Sequence, residues 1–255
     1  MTTGLVLSGG GSRGIAHIGA IKALEEYDFE ITHLAGTSAG AVVGALYASG
    51  RGWEEILDFF KSVDLFSFSN YAWDKPGFVD TEKFYEHFAS MLKEDSFEAL
   101  SLPLYVTATD ILEGSLKIFS TGELIRPVLA SAAFPGIFAP VGIGESYYVD
   151  GGVINNFPVE LLAPHCEEVI GVFVGPIEKV KIEDLKHSFN ILERAFRIRN
   201  ACDSAAKLSQ CQIAICPQGL QAFRTFSLKE VDKIFRIGYR TAIRALKEAG
   251  GRVRK

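Results

Sequence analysis

Ser38 is the residue whose neighbours point most directly to chemistry. It stands at the centre of Gly36-Thr37-Ser38-Ala39-Gly40, a G-x-S-x-G pattern. A serine on a sharp strand-to-helix turn is held clear of the sheet's end, and glycines two positions to either side let the surrounding backbones crowd together. The pentapeptide is short enough to occur by chance, so its flanks matter. Ile31 and Leu34 before it read as a short apolar strand, and Ala41 to Ala48 after it read as a helix of small residues. Such a serine attacks a carbonyl carbon once a base removes its proton.

Two other clusters could serve that chemistry. Gly4 to Ser8 reads as an apolar strand running into Gly9-Gly10-Gly11-Ser12-Arg13-Gly14, after which Ile15, Ile18, Ile21 and Leu24 recur about once per helical turn. The loop therefore presents backbone N–H groups at a helix N-terminus, where an anion is held. Gly9, Gly11 and Gly14 satisfy the dinucleotide fingerprint G-x-G-x-x-G, with Glu26, Asp28 and Glu30 near the spacing of a ribose-binding acid. The next strand, however, ends in Ser38 and not in such an acid. Alternatively the loop is an oxyanion hole, its amides aimed at the charge that develops as Ser38 attacks; a purely structural glycine turn is the third reading. Further on, Ser146 to Asp150 reads as a strand ending before Gly151-Gly152. That makes Asp150 the best acid partner for Ser38, although an aspartate before two glycines also commonly bonds only its own turn.

The usual base for a serine is an imidazole oriented by an acid. Of His17, His33, His87, His165 and His187, only His165 and His187 follow Asp150, as the order Ser, Asp, His requires. Neither has a distinctive neighbourhood, and His17, one turn into a helix, reads as a packing or hydrogen-bonding residue. Ser38 also follows a single earlier strand, too early for an α/β-hydrolase elbow. An ordinary triad fits badly.

The positioning elements follow from periodicity. Helices are expected at Trp53 to Ser62, at Glu82 to Lys93 with Thr81 as cap, at Leu124 to Phe134 with Pro127 interrupting, over Ile182 to Leu208, and at Val231 to Lys247. Strands are expected at Leu102 to Ile111, Leu116 to Ser120, Val169 to Val174 and Gln212 to Cys216, with Asp110 serving a turn. Residues 62–80 hold Phe66, Phe68, Tyr71, Trp73 and Phe78, either a lid and acyl-chain wall or aromatics packing a loop. The last helix turns Lys233, Arg236, Arg240, Arg244 and Lys247 outward, with Arg252, Arg254 and Lys255 beyond. This stripe is a solvated face or a contact for anionic lipid.

Composition narrows the classes. A net charge of −5 over 255 residues excludes general nucleic-acid binding, which calls for a clustered basic excess. MTTGLVLSGGG lacks the basic and apolar regions of a secretory signal, and no apolar run reaches the roughly 20 residues of a membrane span. A cytoplasmic protein, peripheral at most on a membrane, is the expectation. Cys166, Cys202, Cys211 and Cys216 lack zinc-type spacing and read as reduced thiols.

Gly9-Gly10-Gly11-Ser12-Arg13-Gly14, Gly36-Thr37-Ser38-Ala39-Gly40, Ala130-Ser131-Ala132-Ala133-Phe134-Pro135 and Asp150-Gly151-Gly152 resemble, in this order, the four signature blocks of patatin-like phospholipases. They span residues 4–158, including Asn156 and Pro158. The resemblance implies a bacterial-type protein with one domain over residues 1–255, a three-layer α/β/α fold around a mainly parallel sheet. Residues 159–255 would complete the sheet and pack the C-terminal helices. It also implies a lipid acyl hydrolase acting on carboxylic esters through a serine–aspartate dyad and an acyl-serine, without histidine, metal or cofactor. Ser38 would be the nucleophile and Asp150 its base, with Gly9, Gly10, Gly11 and Arg13 as the oxyanion element and Gly14, Gly36, Gly40, Gly151 and Gly152 as motif glycines. A carboxylate titrating near 3.9 is a feeble base, so burial should raise Asp150. The implied partner is a lipid or acyl ester; a regulatory relative with little turnover is the alternative.

Overall fold

The computed structural model describes residues 1–62, 81–225 and 227–250. The aromatic segment Phe66 to Phe78, the capping side chain expected of Thr81, and the terminal Arg252, Arg254 and Lys255 lie outside the described residues.

Among the described residues, eight strands form one sheet: β1 (Thr3–Leu7), β2 (His33–Thr37), β3 (Leu104–Asp110), β4 (Ser115–Phe119), β5 (Val141–Ile143), β6 (Ser146–Asp150), β7 (Glu168–Val172) and β8 (Ile213–Ile215). Their order is β5-β6-β3-β2-β1-β7-β8, with β4 paired to β3 outside that path. Pairings from β3 through β2, β1, β7 and β8 are parallel, whereas β4, β5 and β6 make an antiparallel end. The helices are α1 (Ile15–Glu26), α2 (Ala39–Ala48), α3 (Trp53–Ser62), α4 (Thr81–Met91), α5 (Ile125–Ala132), α6 (Ser188–Lys207) and α7 (Val231–Glu248).

Successive residues of a strand face opposite sides, which here separates two cores. Leu5, Leu7, Leu34, Ile170 and Val172 pack with α1, α2, α3 and α7, while Val6, Ala35 and Val169 pack with Phe157, Val159, Leu162 and Ala201 of α6. This is a three-layer α/β/α fold on a mainly parallel sheet. The strands covered on both faces are mostly apolar, as β1 shows with all five residues buried and Leu5, Val6 and Leu7 among them.

Register places the ends of the strands. Leu7 pairs with Gly36, so the chain leaves β1 and β2 at the same edge. Thr37, last of β2, pairs with Thr107 of β3, and Asp150, last of β6, pairs with the next residue, Ala108. β2 runs parallel to β3 and β6 antiparallel to it, so the two strands end head to head at consecutive positions. The antiparallel pairing of β6 is what brings its last residue to the end of β2.

Three boundaries differ from expectation for local reasons. Pro127 does not interrupt α5, because it lies in the first turn, where no intrahelical N–H is needed. The free amides of Leu124 and Ile125 are bound by Asp95 Oδ1 at 2.9 and 2.7 Å. The tract from Ile182 divides into a single turn at Ile182–Asp184 and α6 proper. Strand β5, hidden in a stretch bounded by prolines, forms a hairpin with β6 around Gly144.

Helix α1 is buried nearly all round because α7 covers the side that the sheet leaves open. The two approach so closely that a Cβ built on Gly238 would lie 2.1 Å from the carbonyl oxygen of Ala16. Alanine in place of a helical glycine ordinarily stabilises by about 0.5–1 kcal/mol. Here Gly238→Ala is expected to destabilise by about 1–3 kcal/mol, because α7 must be pushed off α1. A lowered urea midpoint with an unchanged m-value would bear this out; an unchanged or raised midpoint would contradict the close approach.

Candidate active site

Ser38 joins β2 to α2 with φ 54° and ψ −125°, a conformation that a non-glycine residue adopts only under constraint. Such strain costs about 1–3 kcal/mol, and the surroundings hold it in place. The Ser38 amide donates to Ser131 Oγ on α5 at 2.8 Å. A Cβ on Gly40 would meet the carbonyl oxygen of Leu7 at 2.1 Å, so only glycine lets α2 start against β1.

The Ser38 hydroxyl donates to Asp150 Oδ2 at 2.7 Å. The other oxygen, Oδ1, accepts the Gly152 amide at 2.7 Å, so Asp150 bonds its own turn and the serine at once, one oxygen to each. Its backbone is fixed by Asp150 N–H on the Ala133 carbonyl at 2.9 Å and by Thr109 Oγ1 on the Asp150 carbonyl at 3.0 Å. Beneath the pair, Thr37 and Thr107 share a hydrogen bond of 2.6 Å, and Thr37 Oγ1 also donates to the Asn155 carbonyl at 3.0 Å. Both members of the pair are buried, Asp150 at 3% exposure and Ser38 at 8%. Burial pushes the Asp150 carboxyl up to about 6, and the bonds from Gly152 and Ser38 pull against that rise.

The glycine loop lies directly against Ser38: a Cβ on Gly9 would stand 3.1 Å from Ser38 Cβ. Its four expected oxyanion residues are not equivalent. The Gly9 amide donates to the Asn156 carbonyl at 3.1 Å, and the Ser12 amide to the Thr225 carbonyl at 2.7 Å. The amides of Gly10 and Gly11 have no hydrogen-bond partner among the described residues. The Arg13 guanidinium is buried, donating through Nε to the Gly10 carbonyl at 3.1 Å and through Nη2 to Thr225 Oγ1 at 2.7 Å. Burial, reinforced by Arg197 and opposed by Glu193, brings its pKa down to about 9. In a trans peptide the carbonyl and the next N–H point in opposite directions. By holding the Gly10 carbonyl, Arg13 thus turns the Gly11 N–H away from itself.

The histidines stand elsewhere. His17 is fully buried with Nε2 2.8 Å from the Ser8 carbonyl, and burial takes its pKa down to about 4, so the ring is neutral and Nε2 carries the proton. His165 stacks between His33 and Tyr105. His33 begins β2 and Ser38 follows its end, about 16 Å away at 3.3 Å per residue. His187 is exposed at the start of α6. Asp110 serves its turn, accepting the amides of Leu112 and Glu113 at 3.0 Å each. Glu26, one of the acids a dinucleotide reading needs, bonds Tyr239 at 2.6 Å and Lys22 at 3.0 Å. Among the described residues no group of His, Cys, Asp or Glu is arranged to hold a metal ion, and all four cysteines are free.

Sequence reasoning missed the supporting residues. Ser131 lay in a block read for close packing, and its hydroxyl proves to hold the Ser38 amide. Asn156 was singled out only as following the Asp-Gly-Gly turn, without its role of accepting the Gly9 amide; Thr225 and Glu193 carried no local signal, since their partners lie far away in the chain.

The serine elbow, the glycine loop against it and the aspartate from the antiparallel end of the sheet all lie in the part of the chain that a family model matches. The family model for patatin-like phospholipase matches residues 5–163, and the chain belongs to that family. It is 34% identical over 162 residues to an uncharacterised NTE family protein of Mycobacterium tuberculosis, covering 62% of this chain and 45% of that one. It is 30% identical over 182 residues to lysophospholipase NTE1 of Saccharomyces cerevisiae, covering 68% of this chain and 11% of that one. The chain thus spans less than half the length of these relatives, which come from both bacteria and fungi. In fold it resembles VipD from Legionella pneumophila, with a TM-score of 0.56 and 17% identity over 97% of this chain and 67% of that one. It also resembles ExoU of Pseudomonas aeruginosa, with a TM-score of 0.53 and 18% identity over 97% and 52%. Among the described residues no helix is long and apolar enough to cross a membrane.

The raised carboxyl has a thermodynamic consequence. Asp150 binds its proton more tightly folded, at about 6, than at its ordinary value of 3.8. Its contribution to stability therefore falls as pH rises between those values and stays low above them. A shift of this size corresponds to about 3 kcal/mol. Relative to the wild type, Asp150→Asn should be more stable at pH 8 than at pH 4 by up to about that amount, as read from urea unfolding at the two pH values. A pH-independent difference would contradict a desolvated carboxyl.

Proposed function

We propose that the protein is a lipid acyl hydrolase that cleaves carboxylic esters through a Ser38–Asp150 dyad. The observation that carries this reading is the 2.7 Å bond from Ser38 Oγ to a buried carboxylate, with no histidine bonded to either. As Ser38 attacks the acyl carbonyl, Asp150 takes the hydroxyl proton. The oxyanion forms beside the glycine loop, where the amides of Gly10 and Gly11 meet it, while Gly9 and Arg13 hold the loop in shape. The partial positive charge at the start of α2 favours the same site. Collapse of the tetrahedral intermediate expels the alcohol or lysolipid, which leaves with the proton from Asp150. Water then gives a proton to Asp150 as it attacks the acyl-serine, and release of the fatty acid returns that proton to Ser38.

A carboxyl titrating near 6 suits this work better than an ordinary one, because it holds a proton more firmly once it has taken it, yet is ionised at neutral pH. The supporting group differs from a triad in a measurable way. On a soluble short-chain ester, Ser38→Ala and Asp150→Asn are each expected to lower kcat/KM by about a thousandfold or more, whereas His165→Ala and His187→Ala stay within about twofold. For the wild type, kcat/KM should rise with pH through about 6 and then level off. Loss of activity in either histidine variant, with folding preserved, would replace the dyad by a triad.

A further inference from the structure

Helix α6 has its polarity reversed. A surface helix ordinarily buries an apolar stripe and turns polar residues outward. In α6 the side facing the protein carries Glu193, Arg197, Asn200 and Ser204 together with Phe196 and Ala201. Glu193 accepts from Thr225 Oγ1 and lies 3.9 Å from Arg13; Asn200 and Ser204 are buried; Arg197 keeps Nε and Nη2 buried with no hydrogen-bond partner among the described residues. The outward side carries Ile191, Ala195, Ile198 and Cys202, spaced four, three and four residues apart, with Leu192 beside them. Ile191 is 56% exposed, Leu192 61% and Ile198 43%, and Ile182 on the preceding turn is 76% exposed.

Three observations bear on what covers this face. It continues into the site: Phe189 and Phe196 lie edge-on to Phe134 at 6.5 and 5.0 Å, and Phe134 follows Ala133, whose carbonyl holds the Asp150 amide. Its exposed charges from Lys186 to Cys202 are the cations Lys186 and Arg199, in a chain whose net charge is −5; exposed carboxylates lie only beyond its ends, at Glu183, Asp184 and Asp203. It is also small. From Ile191 to Cys202 the stripe is about 17 Å long and about 10 Å wide. That is far below the roughly 800 Å² per partner of a stable protein complex.

We propose that α6 is the surface with which this protein docks on a lipid–water interface, Ile191, Leu192 and Ile198 entering the acyl region and Lys186 and Arg199 meeting headgroup phosphates. The proposal rests on the acyl-hydrolase reading for its purpose, and on the geometry of α6 for its place. It differs from docking through the basic stripe of α7, where Lys233, Arg236, Arg240, Arg244 and Lys247 are exposed but the apolar residues Ile234, Ala242 and Leu246 are buried. Docking through α6 depends on apolar insertion and so resists salt, whereas docking through α7 would be screened.

The test uses vesicles of phosphatidylcholine and phosphatidylglycerol, with binding read by flotation in the Ser38→Ala background so that no lipid is consumed. Ile191→Asp with Leu192→Asp is expected to weaken binding by about tenfold or more, as the loss of two inserted aliphatic side chains implies. In the Ser38-containing protein the same pair should leave soluble-ester turnover and the thermal midpoint near wild-type values while hydrolysis of vesicle lipid falls. Lys233→Glu with Arg240→Glu should leave binding largely intact. Vesicle binding unaffected by the α6 pair, or lost only in the α7 pair, would overturn the proposal. So would absence of vesicle binding in the parent protein, including the case in which the α6 pair instead dissociates a dimer in solution. If ester hydrolysis is absent altogether, the flotation result still decides the docking surface, so failure of the catalytic reading and failure of this one are told apart.

Discussion

A serine hydroxyl held 2.7 Å from a carboxylate, both largely buried, is the contact on which the arrangement depends. Neither residue could be placed there by its own segment. Ser38 comes from the end of a parallel strand and Asp150 from the end of an antiparallel one, and both are measured off against β3, at Thr107 and Ala108. A slip of one residue in either pairing would turn a side chain to the opposite face of the sheet. The shared hydrogen bond between Thr37 and Thr107 ties that register one layer below the dyad. The mixed sheet is therefore part of the site: a strand running the other way beside β3 would carry its last residue away from Ser38.

Burial of Asp150 works in two directions. It raises the carboxyl to about 6, and it makes the ionised form expensive to fold. The Gly152 amide and the Ser38 hydroxyl offset part of that cost, and they are the same bonds that orient the carboxylate. The glycine loop has a similar division of labour. Gly9, Ser12 and Arg13 direct their donors to Asn156, Thr225 and the Gly10 carbonyl, while the Gly10 and Gly11 amides have no partner among the described residues. The loop is held from outside by Thr225, which bonds Ser12 and Arg13, and by Glu193 of α6, which bonds Thr225.

Much of this was legible in the sequence, because the chemistry sits in local motifs. The elbow around Ser38, the loop at residues 9–14 and the Asp-Gly-Gly turn each announce themselves within six residues, and strands such as β1 and β7 are apolar runs of the right length. The residues that hold these motifs in place were not legible. Ser131 is 93 positions from Ser38, and Thr225 is 212 positions from Arg13. Such contacts follow from packing of whole layers, and no spacing rule reports them. The helical character of α6 and α7 was readable, and so was the basic outward side of α7, whose Lys233, Arg236, Arg240, Arg244 and Lys247 are exposed; which side of α6 faces inward was not, since that depends on what the neighbours offer. Against α6 they offer Arg13, Thr225 and the turn after Asp150, which draw its polar residues inward, as well as the apolar cluster that takes Ala201 and the Phe134 ring that meets Phe189 and Phe196. The same limit explains α1. Its apolar recurrence at Ile15, Ile18, Ile21 and Leu24 marks one buried side, but α7 approaches to backbone contact at Gly238 and buries the other as well.

The central claim is that Asp150 alone activates Ser38. A fluorophosphonate reports this directly, because it captures a serine only as it attacks, and peptide mass spectrometry identifies the residue captured. A single adduct is predicted, on the peptide holding Ser38, forming at a rate that rises with pH through about 6 and that collapses in Asp150→Asn. An adduct on a different serine, or a labelling rate at Ser38 indifferent to Asp150→Asn, would contradict it.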